Sequence, residues 1–150
     1  MAVRMGEITR IGVSPAVDRV GYSCGVADSW EQIDWAALDR MRERFLQETA
    51  GQEDYWESES HLHSYDHTFA QRVAWKWDYV GEQLKQLGWT PPASPVLDWG
   101  CGTGVAHRSF LRSFPDSQSQ GLSVYDRSSC AMAYAERRAQ SFFPNVPIQP

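Results

Sequence analysis

The sequence predicts an α/β protein, a helical N-terminal segment followed by the first half of a parallel sheet. Three observations lead there. Apolar residues recur at spacings of three and four through much of residues 29–90. Two short apolar runs, "VLD" at 96–98 and "GLSVYD" at 121–126, each precede a helix-period stretch, the order expected of parallel strands joined by crossover helices. Between the first run and its helix lies "WGCGTG", where glycine occupies every second position.

Each element has its own justification. Residues 1–28 mix Gly, Pro and Ser with the short apolar pieces "ITRIGV" and "VGYSCGV" and read as an N-terminal arm. A first helix is expected from about Trp30 to Thr49. Ser29 and Gln32 form its capping box, and Trp35, Leu38, Met41 and Phe45 line one face. "AGQEDYWESES" breaks the pattern. A second long helix is expected over roughly Tyr65 to Leu87, with Phe69, Val73, Trp77, Val80, Leu84 and Leu87 along its apolar stripe. Gly88 stops it, and "TPPASP" cannot continue it. These helices form a segment over 29–90.

Residues 91–150 form the sheet region. Val96, Leu97 and Asp98 read as a short buried strand, and "GTGVAHRSFLRSF" as a turn feeding a helix that ends before Pro115. Gly121 to Asp126 is a second strand. Ser128 or Ser129 caps a further helix, with Met132, Ala135, Ala139 and Phe142 on one face. "NVPIQP" approaches a third strand. With only two strands formed, an open edge and uncovered apolar faces are expected, so the region reads as a truncated domain, a fragment or a half completed by another chain.

Composition narrows the function classes. At 150 residues and 42% hydrophobic content the chain can build a core, and its formal charge of -5 disfavours non-specific binding of nucleic acid or membrane surface by the whole chain. Cys24, Cys101 and Cys130 lack zinc-ribbon or disulfide spacing, which fits a reducing compartment. No membrane span and no secretory leader are visible, so a cytoplasmic location is expected, with a mitochondrial one the alternative for a eukaryotic source.

A glycine turn between a strand and a helix N-terminus presents backbone N–H groups and the positive end of a helix dipole to a ligand. The spacing discriminates among ligands. A dinucleotide fingerprint requires glycine where Val105 or His107 stands, and the G-K-[ST] of nucleotide hydrolases is absent. The bland alternative is a tight turn in a generic α/β protein.

"VLDWGCGTG" has the form D-x-G-x-G-x-G and resembles the first motif of class I S-adenosylmethionine-dependent methyltransferases. Asp126 stands 22 residues after Gly104, at the end of the second strand, where the family's acid accepts hydrogen bonds from the ribose hydroxyls. The resemblance covers Val96 to about Ala139. It implies a Rossmann-like sheet, S-adenosylmethionine as cofactor, and Asp98, Gly100, Cys101, Gly102, Thr103, Gly104, Asp126 and Arg127 as cofactor-binding residues, with Arg127 along the adenine. Cys101 and Thr103 are expected to act through their backbone amides. A nucleophilic role for Cys101 is disfavoured for want of an adjacent histidine, although a helix N-terminus would lower its pKa. Substrate-side catalytic residues would lie beyond Pro150, so none is assigned.

"SYDHTFAQRVAWKWDYVGEQLKQLGWTPPASPVLDWGCGTG" further resembles, by segment order, the Rsm22 family, methyltransferase-like proteins tied to small ribosomal subunit assembly. This implies ribosomal RNA or the small subunit as partner. The alternatives are a non-catalytic assembly protein with the same fold and a small-molecule methyltransferase.

Three further features bear on function. Trp75, off the apolar stripe, with Arg72, Lys76 and Lys85 nearby, is a candidate contact for unpaired bases, against helix packing as the bland reading. His61, His63 and His67 with Asp66 have the spacing of a zinc pair, but a helix start with polar and capping groups is preferred and no metal is assigned. "EDYWESES" reads as a solvated acidic loop.

Overall fold

The computed structural model describes residues 30–47 and 56–149. The expected arm, Ser29, Thr49, Gly51 and Cys24 lie outside the described residues. Trp30–Gln32 forms a 3-10 turn, and helix α1 follows over Trp35–Leu46. Its N-cap is Asp34, whose side chain accepts from the Ala37 amide at 2.9 Å. The face expected to be apolar is only half used: Leu38 and Met41 are buried, whereas Trp35 and Phe45 are exposed.

The expected second helix is in fact two. Helix α2 spans Glu59–Asp66, capped by Ser58, and α3 spans Phe69–Gln86. Side chains at the junction take over the carbonyls of α2: Thr68 Oγ1 donates to Ser64 O at 2.6 Å, and His67 Nδ1 lies 2.8 Å from His63 O. Such side-chain-to-backbone bonds compete with a continuous ladder, which is why the helix breaks where apolar periodicity runs on. The buried face of α3 also differs from the expected stripe. Ala70, Ala74 and Gly81 are buried, while Trp77, Val80 and Leu87 are exposed. Small residues win because α3 lies close on the next helix: a Cβ on Gly81 would stand 2.7 Å from Ser113 Oγ. Gly88 stops α3 as expected. Its φ is +71°, its amide donates to Lys85 O, and the Trp89 amide donates to Leu84 O.

Strands β1 (Val96–Trp99), β2 (Leu122–Tyr125) and β3 (Ile148–Gln149) form a parallel sheet in the order β1-β2-β3. The third strand, foreseen only as an approach, is thus paired, Leu122 with Ile148 and Ser123 with Gln149. Helix α4 (Val105–Ser113) and helix α5 (Ser129–Phe142) cross between the strands. Pro115 follows α4 closely, and Ser128 caps α5 by accepting from the Ala131 amide at 3.3 Å. The fold is α/β.

Two cores meet on α5. One joins Ile33, Leu38, Met41, Trp56 and Leu62 to Ala131 and Tyr134; the other joins Leu111, Leu122, Val124 and Val146 to Ala135 and Ala139. The helical segment therefore packs onto the same helix as the sheet. Strand β1, expected to be buried, is half-buried on one side and exposed on the other. Leu97 is 61% exposed and Trp99 73%, and Trp99 stacks on its register partner Tyr125 with ring centroids 4.3 Å apart. No described helix is long and apolar enough to cross a membrane.

Candidate functional site

Between β1 and α4 the chain turns at Gly100, Gly102 and Gly104, whose φ values are +74°, +51° and +77°. All three lie in the left-handed region that costs an L residue roughly 1–2 kcal/mol, which explains the alternation of glycines. Space adds a second constraint at Gly104, whereas at Gly102 an added Cβ would meet only an ordinary contact. A Cβ on Gly104 would collide with the His107 ring, 2.8 Å from Nε2, and one on Gly102 would stand 3.6 Å from Trp56 Cζ2. Trp56 is itself buried, and its ring meets Tyr65 edge-on at 5.2 Å. A residue from just before α2 thus roofs the turn.

Most of the turn's amides serve the turn itself. Gly100 and Cys101 both donate to Tyr125 O, at 2.7 and 2.9 Å, and Gly104 donates to Cys101 O at 2.7 Å. Gly102 donates to Asp126 Oδ2 at 2.9 Å. The second Asp126 oxygen accepts from the Ser128 amide at 3.0 Å. The strand-end acid therefore points onto the glycine turn, with one lone pair left on each oxygen. Arg127 beside it is exposed. The first amides of α4 have no intrahelical acceptor and carry the positive end of its dipole. Thr103 Oγ1 is buried in the turn without a hydrogen-bond partner among the described residues.

Asp98 has a partner that sequence reading missed. Its Oδ2 lies 2.8 Å from His107 Nδ1, and the His107 side chain is fully buried. His107 Nε2 has no hydrogen-bond partner among the described residues. The available signal was positional, since nine residues separate an acid at a strand end from a histidine in the first turns of the next helix.

A second missed group supports the turn from below. Asp66, 1% exposed, pairs with Arg108 and accepts from Arg138 Nε at 3.0 Å and from the Tyr134 hydroxyl at 3.3 Å. Arg108 also donates to Thr103 O at 2.7 Å. Asp66 was read as a capping group or zinc neighbour; it is instead the buried counter-ion of two arginines, because Arg108 and Arg138 reach it from α4 and α5. Burial, then the Asp66 charge, pushes the Tyr134 hydroxyl upward.

Cys101 lacks the lowered pKa expected of a thiol at a helix start, and the disfavoured nucleophilic role gains nothing. Its thiol is pushed up to about 12, first by burial and then by Asp98 and Asp126, which outweigh the lowering expected at a helix start. A thiol held protonated is no nucleophile at neutral pH. The rings of His63 and His67 meet at a tilt of 35° with centroids 4.1 Å apart, and no group of three metal-ligating side chains converges among the described residues. The chain matched no family model, no curated protein and no solved structure.

Proposed function

We propose that the chain binds S-adenosylmethionine through the Gly100–Gly104 turn and Asp126, as the N-terminal portion of a class I methyltransferase-like protein with a Rossmann-like sheet. One observation carries the reading: the 2.9 Å bond from the Gly102 amide to Asp126, which holds an acid from the end of β2 against the glycine turn. The cofactor fits the groups present. Asp126 keeps one lone pair per oxygen for ribose hydroxyls, Thr103 Oγ1 is a buried polar atom in need of a partner, and the first amides of α4 suit the ligand's carboxylate. Bound there, the ligand supplies an electrophilic methyl group on a sulfonium. The residues of this chain bind and orient it, and acceptor-side residues are not assigned.

A second reading has its own support. Both Asp126 oxygens already hold amides, and Trp56 sits on Gly102, so the turn has structural work without any ligand. On that reading the chain is a non-catalytic assembly or interaction protein that keeps the fold. The Rsm22-type placement with the small ribosomal subunit rests on segment order, while the net charge of -5 favours a small-molecule acceptor.

Titration calorimetry with S-adenosylmethionine decides between binding and its absence. Asp126→Asn is expected to weaken binding about 10- to 100-fold, the effect of losing a charge-assisted hydrogen bond of roughly 1.5–3 kcal/mol. No heat with the unaltered protein refutes the cofactor assignment; unchanged affinity in the variant refutes the role given to Asp126.

A further inference from the structure

Helix α3 carries a surface that its packing does not explain. Its buried face is the small-residue line of Ala70, Ala74 and Gly81. Diametrically opposite, at i, i+3, i+4 and i+7, stand Arg72, Trp75, Lys76 and Tyr79, all exposed. Trp75 is 64% and Tyr79 66% exposed. Arg72 and Lys76 form no ion pair among the described residues, whereas Asp78, a quarter-turn away, is paired with Arg112 at 2.5 Å. The stripe therefore carries two uncompensated cations on a chain of net charge -5, with Glu82 the carboxylate flanking it.

We propose that this face of α3 binds single-stranded nucleic acid. Cation and ring alternate along it over about 10 Å of helix at 1.5 Å per residue. A single strand offers the complementary alternation, since its phosphates meet the cations and its unpaired bases stack on the rings. The local charge is the reverse of the chain's, which favours phosphate at this stripe. A protein partner fits less well, because the face includes a lysine, a residue depleted at such interfaces. The inference is independent of what binds the glycine turn.

The test is fluorescence anisotropy of the whole chain with labelled twelve-nucleotide oligouridine and its deoxy counterpart, over a salt series. The unaltered protein is expected to bind. Trp75→Ala with Tyr79→Ala should weaken binding by about tenfold or more, from loss of stacking on two rings, while the Phe replacements at both positions retain most of it. Arg72→Ala with Lys76→Ala should flatten the slope of log K against log salt by about 1.4, the value for two single-strand phosphate contacts. Leu46→Ala on the exposed side of α1 is the control and should change nothing. Equal binding of both oligonucleotides assigns unpaired strands of either sugar, and preference for oligouridine assigns RNA; both uphold the proposal when the ring substitutions reduce binding. Absence of binding by the unaltered protein, affinity unmoved by the ring substitutions, or capture of an acidic peptide in place of either oligonucleotide overturns it. Thermal melts of the variants are expected to match the unaltered protein, since all four side chains face solvent.

Discussion

The two sides of the sheet are built on different physics. On the helix-covered side, carboxylates are paired: the half-buried Asp98 with His107, and the buried Asp66 with Arg108, Arg138 and Tyr134. On the other side, Leu97, Trp99 and Tyr125 are exposed with no described helix over them. Apolar groups left in water cost the folded chain little relative to the unfolded one, because both states expose them. A buried charge stripped of its partner has no such indifference. The glycine turn is braced by polar contacts on the charged side, Asp126 to the Gly102 amide and Arg108 to the Thr103 carbonyl, and the difference teaches that a few such contacts help set its shape.

The contrast can be broken most forcefully at Asp66. Asp66→Ala leaves two arginines without their buried counter-ion and is expected to destabilise by about 3–5 kcal/mol, measured by urea denaturation. Leu97→Ser on the bare side should stay within about 0.5 kcal/mol. Comparable losses at the two positions would erase the distinction.

Next in size is the turn itself. Gly104→Ala combines a left-handed φ with a collision against His107 and should cost about 3 kcal/mol. Adding His107→Ala removes the collision, so the double variant should be less unstable than the sum of the two single ones. Strict additivity would show that the two residues do not meet.

The smallest effect concerns pH. Because the Cys101 thiol is raised in the folded state from an ordinary value of 9.0 to about 12, the folded chain holds that proton longer than the unfolded one. Its stabilisation is complete below pH 9 and is lost as pH climbs toward 12. A melting temperature falling over that window in the unaltered protein, and falling less in Cys101→Ala, is the expected pattern. Iodoacetamide at pH 8 should label Cys130 ahead of Cys101, since Cys130 is partly exposed.

Legibility in sequence followed the range of the interactions. The strands, the glycine turn, the stop at Gly88 and the Ser128 cap are decided by neighbours within a few residues, and these were readable. The break at His67 and Thr68 was not, because it depends on side chains reaching back to carbonyls four residues earlier within a run whose apolar period continues. The packing face of α3 was misread for a related reason: periodicity favours large apolar residues, whereas close approach to α4 selected Ala70, Ala74 and Gly81. Asp66 meets partners 42 and 72 residues away, and no local pattern encodes such a meeting. At the candidate site, Asp126 was found at the turn as expected. Trp56, which lies in contact over Gly102, and His107, which crowds Gly104, came from outside the motif.

The bond from Arg108 to the Thr103 carbonyl, with Asp66 behind it, makes the N-terminal helices a clasp on the loop. A shortened chain beginning at residue 91 would keep every letter of the motif yet lose the carboxylate that Arg108 and Arg138 share. The segment that looks like a preface to the glycine loop is in physical terms one of its jaws.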